Sequence, residues 1–252
     1  MYTFVILALF MVSCSDDDDA LPEPAQPIAV STTDTFTFSS NGTNTNGKIY
    51  VPSSFDANKN LPAIYLIDFT EQHFTVAKDE FEKVIEGVEQ IEGFDALVVT
   101  LEEHLNIDSS PNDFQEYYYL FNNMTAYVDA NYTDNTSRTF IARGSEAGLV
   151  LMTLFLEDPE TSVFQNFIAT DSPSSFNSFV INMIDEDDFP QNKQNKKLHF
   201  SFSSSNSYNS CTNLINTIEE AQFPWLQFES KQYSSTFPAT YPESFAAGIK
   251  YI

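Results

Sequence analysis

From residue 31 onward the chain alternates between two apolar patterns. Short apolar blocks at residues 61–68, 96–101, 139–142 and 167–170 have the character of strands buried on both faces of a parallel sheet. Between them the apolar positions recur at helical spacing. Phe81, Val84, Ile85, Val88 and Ile91 fall on one helix face, and after Pro111 the residues Phe114, Tyr117, Phe121, Met124 and Val128 form a second stripe, read as core. The pattern continues with helices over 148–156 and from 179, a strand over 198–203, a helix over 211–221, a strand over 225–233 and a terminal helix over 245–252. The domain opens differently. Residues 35–38 alternate polar and apolar, residues 41–47 read as a turn, and residues 48–52 return as a second strand, which together predict an antiparallel hairpin. The expected fold is α/β: one doubly wound domain over residues 31–252, with a mostly parallel sheet and an antiparallel start.

The residues before 31 have a different character. An apolar run at 4–12 is too short to span a bilayer but suits the core of a secretory leader. Val12-Ser13-Cys14 resembles a bacterial lipobox, which implies a signal peptide over 1–13 and lipidation of Cys14. The following Ser15-Asp16-Asp17-Asp18-Asp19 resembles the acidic export tag of Bacteroidetes-type surface lipoproteins. The stretch 14–30, acidic and then proline-rich, reads as a tether. The expected location is the bacterial outer membrane or cell surface, with membrane contact through the lipid anchor only. A net charge of −25, from 11 Lys+Arg against 36 Asp+Glu, excludes nucleic acid and anionic lipid as expected partners. Two cysteines do not make a disulfide framework, and Cys211 reads as a buried lone thiol.

The stretch Thr139-Phe140-Ile141-Ala142-Arg143-Gly144-Ser145-Glu146-Ala147-Gly148-Leu149-Val150 has the outline of a nucleophile elbow, in which a strand, a tight turn and a helix lift a serine above a parallel sheet. The serine is expected at the apex. Arg143 and Ala147 stand where such elbows usually have glycine. Together with Tyr65-Leu66-Ile67-Asp68, the block from Phe167 to Ser174 and the ending Ala247-Gly248-Ile249-Lys250-Tyr251, this order of elements resembles the esterase-D-like family of α/β hydrolases over roughly residues 35–252.

The resemblance implies Ser145 as the nucleophile, with the backbone N–H groups of Glu146 and Phe69 as the oxyanion hole. It also implies an acid after the strand at 198–203, where the chain reads Ser203-Ser204-Ser205-Asn206, and a histidine near Phe237; residues 230–243 hold no histidine. A serine without a base is a poor nucleophile. The expectation is therefore a lapsed hydrolase that binds a small ester, a glycan or a protein partner. The alternative is an active esterase in which His104 or His73, oriented by Asp171, serves Ser145 from the carboxyl edge of the sheet. His199, inside a strand, reads as packed. No metal set, phosphate loop or dinucleotide fingerprint is present in the sequence, and no cofactor is expected.

Overall fold

The computed structural model describes residues 30–55, 58–67, 80–102, 114–191, 193–203, 208–234 and 241–252. Eight strands form one sheet in the order β1-β2-β4-β3-β5-β6-β7-β8. The hairpin β1 (Thr32–Ser40) and β2 (Thr43–Val51) is antiparallel, and β2 joins β4 (Leu97–Leu101) antiparallel. Every other pairing is parallel: β3 (Ala63–Leu66) with β4 and β5 (Arg138–Arg143), then β6 (Asn166–Thr170), β7 (Lys196–Ser203) and β8 (Leu226–Tyr233). This is the single α/β domain that the alternating pattern predicts. The apolar blocks lie in the middle of the sheet, where β3, β4, β5 and β6 are buried almost throughout.

Helices cover both faces. Helices α2 (Phe114–Asn131), α3 (Gly144–Leu156), α4 (Ser174–Glu186) and α5 (Tyr208–Ala221) cover one face, over a core rich in phenylalanine. Phe140 stacks on Phe164 with ring centroids 4.4 Å apart, and Phe121 lies 5.0 Å from Phe140; aromatic pairs of this kind add stability beyond their buried area. Helices α1 (Glu80–Glu89) and α6 (Tyr241–Tyr251) cover the other face through Phe81, Val84, Val88, Phe245 and Ile249. The helix stripes expected at 81–91 and 114–128 face the sheet.

Several boundaries differ from the sequence expectation. The hairpin turn is only Asn41 and Gly42, with φ of 50° and 77°, the pair of left-handed residues that a two-residue hairpin turn requires. Residues 43–47 are the polar first half of β2. Helix α3 begins at Gly144 rather than 148, and α4 at Ser174 rather than 179. Their polar first turns carry no apolar periodicity, and neither N-cap, Arg143 or Pro173, makes a side-chain capping bond. Asp185 and Glu186, read as loop, close α4. Among the described residues no helix is long and apolar enough to cross a membrane.

Candidate functional site

In the parallel part of the sheet the carboxyl ends of β5, β6 and β7 lie side by side: Arg143 pairs with Thr170, and Thr170 with Ser201. This is the edge at which open α/β folds bind ligands. The strand–turn–helix expected at 139–150 is here, as β5 running directly into α3. Its dihedral angles differ from the expectation in one respect. The left-handed residue at the turn is Gly144, with φ 60°. Ser145 comes one residue later, half-buried in the first turn of α3. The physical reason is local: glycine takes positive φ freely, whereas a residue with a Cβ pays roughly 1–2 kcal/mol. The strained station of the elbow therefore holds a residue without a side chain. The N–H that follows this station is that of Ser145, not Glu146.

The helix that leaves the elbow is packed tightly. A Cβ on Gly148 would stand 2.1 Å from the ring of Phe176 on α4, so only glycine lets the two helices meet here. Arg143, in place of the usual glycine, is accommodated because alternation along β5 turns it to the α1 face with Ile141. There it forms a buried ion pair through Nε with Glu80 Oε1, at the start of α1.

Asp171, one residue past β6, is buried and left-handed at φ 53°. Its Oδ1 accepts two bonds from the end of β7, from the Ser203 N–H at 2.7 Å and the Ser203 hydroxyl at 3.0 Å. Among the described residues its Oδ2 has no hydrogen-bond partner. Burial pushes its carboxyl above the usual Asp value, against the Ser203 bonds and the nearby Arg143 charge, which pull it down. Around it the edge is polar. The Thr170 hydroxyl lies 2.9 Å from that of Ser201 and 3.0 Å from that of Ser244 on α6. Asn177 Nδ2 donates to the Ser172 carbonyl at 2.9 Å and to the Ser210 hydroxyl at 3.0 Å. Cys211 is buried against the same carbonyl, and burial pushes its thiol up to about 12; it is inert at neutral pH.

The structure thus brings Ser145, Glu146 and Asp171 to one edge. His199 lies elsewhere: it is fully buried within β7, its Nδ1 is 3.3 Å from Glu229 Oε1, and its ring is 5.8 Å from that of Tyr251. Burial holds its imidazole below the ordinary value, so it is neutral at pH 7. Cys14, Phe69, His73, His104, Asn206 and Phe237 lie outside the described residues. Spacing did not single out the Arg143–Glu80 pair or Ser203. Both depend on contacts between distant segments, and the only sequence signal was a charged residue where elbows normally have glycine. Among the described residues no group of three or more His, Cys, Asp or Glu could hold a metal ion.

The fold is similar to those of several solved serine hydrolases and esterases. An IroE-like serine hydrolase from Shewanella oneidensis superposes with a TM-score of 0.67 at 15% identity, over 87% of this chain and 79% of that one. The siderophore hydrolase EstA from Aspergillus nidulans gives 0.64 at 12%, over 90% and 96%. An uncharacterised protein from Capnocytophaga ochracea gives 0.65 at 13%, over 87% of this chain but only 63% of its own length. At these identities the likeness concerns the fold alone. No protein-family model and no curated protein matches the sequence.

Proposed function

We propose that this chain is a lipid-anchored surface protein whose α/β-hydrolase domain has given up serine catalysis and binds a ligand at the old active-site edge. The observation that carries this reading is the elbow itself. Gly144 takes the left-handed station, and Ser145 sits one residue beyond it in the helix. A hydroxyl displaced along the helix is not presented as an elbow nucleophile is, and catalysis depends steeply on such placement. The sequence supports the same reading, with Asn206 where the resemblance calls for an acid and Phe237 where it calls for a histidine. Ligand classes consistent with the fold are a small ester, a glycan or a protein segment.

A second reading has one specific observation in its favour. Asp171 is anchored through one oxygen to Ser203 and leaves the other unpartnered among the described residues, as a carboxylate that orients an imidazole would. In that reading Ser145 works with His104 or His73. A fluorophosphonate probe, run on the wild-type chain and on Ser145→Ala, separates the two. The expected result is no labelling that depends on Ser145, with short-chain p-nitrophenyl ester turnover unchanged by the substitution. Labelling of the wild type that disappears in Ser145→Ala overturns the proposal.

The anchor is tested on its own. In a lipoprotein-processing bacterial host the full chain should partition into the detergent phase after Triton X-114 separation, and Cys14→Ser should leave it in the aqueous phase. Equal partitioning of the two removes Cys14 as the lipidation site.

A further inference from the structure

Three oxygens near the end of β6 lack hydrogen-bond partners among the described residues: Asp171 Oδ2, Ser172 Oγ and Asn177 Oδ1. All three side chains are more than nine-tenths buried, at 6%, 0% and 0% exposure. The Asn177 amide orientation is set by its neighbours, because Nδ2 must face the Ser172 carbonyl at 2.9 Å; Oδ1 is therefore an acceptor without a donor. The three residues are tied together, Ser172 following Asp171 in sequence and bonding Asn177 through its carbonyl. Buried polar atoms are almost always satisfied, so a cluster of unmet oxygens marks a missing partner.

The charge of the edge indicates what that partner is. Buried at this edge are the carboxylates of Glu80, Glu146 and Asp171 and the guanidinium of Arg143. Arg143 pairs with Glu80. Asp171 brings a buried carboxylate to the edge with one oxygen unmet among the described residues. One carboxylate oxygen with neutral hydroxyl and amide oxygens is a hard-oxygen set with a single formal charge.

We propose that Asp171, Ser172 and Asn177 form a binding site for a small monocation, either an alkali-metal ion or the primary ammonium group of a ligand. The inference rests on the non-catalytic reading, in which no imidazole takes Asp171 Oδ2. A monocation neutralises the buried carboxylate and gives each unmet oxygen a partner, leaving the Ser203 bonds to Oδ1 in place.

Thermal unfolding of the full chain at constant ionic strength tests this, with choline chloride as reference and sodium, potassium or methylammonium chloride exchanged into it. The expected result is a saturable rise in Tm of about 3–6 °C at tenfold saturation over the reference. A rise with sodium or potassium assigns an alkali ion; a larger rise with methylammonium assigns a ligand's ammonium group. The rise should vanish in Asp171→Asn. If that variant does not fold, Ser172→Ala should fold and weaken the apparent affinity roughly tenfold. No cation-specific rise means that water alone meets these oxygens, and overturns the inference. An equal rise in Asp171→Asn or an unchanged affinity in Ser172→Ala also overturns it. Probe labelling keeps the two questions apart: an unlabelled chain with no cation effect defeats this inference only, whereas labelling at Ser145 defeats the function reading beneath it.

Discussion

Replacing Glu157 with alanine is expected to destabilise the domain by about 3–5 kcal/mol, the scale of breaking a buried ion pair from one side. Glu157 caps the end of α3 and is 2% exposed. Its carboxylate accepts from Lys196 Nζ at 3.0 Å, the Ser162 hydroxyl at 3.0 Å, the Tyr118 hydroxyl at 3.2 Å and the Phe164 N–H at 3.2 Å, with Val163 N–H as a further donor. Its backbone carbonyl accepts from Lys193 Nζ at 2.7 Å. Lys196, 3% exposed, also donates to the Phe164 carbonyl and the Ser162 hydroxyl. Truncation leaves the Lys196 ammonium buried with no counter-ion among the described residues and strips two backbone N–H groups of their acceptor. Chemical denaturation monitored through Trp225 measures the loss. Glu157→Gln keeps the shape and some acceptors, so it should lose less than alanine. A loss under 1 kcal/mol for alanine would mean that water reaches the network, and that its burial does not bear on stability.

That network was invisible in the sequence, and the reason is instructive. Glu157, Ser162, Lys193 and Lys196 look like four ordinary surface residues around loops; only the crossing of α3, β6 and β7 brings them inside. The buried strands were legible because a strand covered on both faces must be apolar along its whole length. Helices α1 and α2 were legible because their inner faces repeat at helical spacing. The starts of α3 and α4 were not, since Gly144-Ser145-Glu146 and Ser174-Ser175 are polar and helical only by continuation. At the site, the sheet edge could be inferred from strand order, and with it the placement of Ser145 and Asp171. The one-residue offset of the elbow could not. A motif aligned on its serine carries no dihedral angle, and the decisive residue, Gly144, was hidden at a position where many residue types fit. Asp171 was recognisable as an edge carboxylate, but its anchor, Ser203, belongs to the next strand.

The second large effect concerns Arg143, which stands at a position where nucleophile elbows usually have glycine. Arg143→Met is expected to cost about 3–5 kcal/mol, because it leaves Glu80 as a buried carboxylate without its guanidinium. Glu80→Leu should cost a similar amount by stranding Arg143. The double variant Arg143→Met/Glu80→Leu should recover most of the loss, since an apolar pair of similar volume avoids both desolvation penalties. A double-mutant cycle in denaturant reads all three, and additive losses would show that the two side chains do not act as a pair. The cycle bears on function as well as stability. Arg143 stands directly before Gly144 and helps to hold the Asp171 carboxylate ionised, so its removal should drive that carboxyl still higher. A glycine at this position would leave Glu80 without its guanidinium partner. The arginine is part of a buried electrostatic arrangement: it ties α1 to the end of β5 through Glu80 and acts on the nearby Asp171 carboxylate, whose Oδ2 has no hydrogen-bond partner among the described residues.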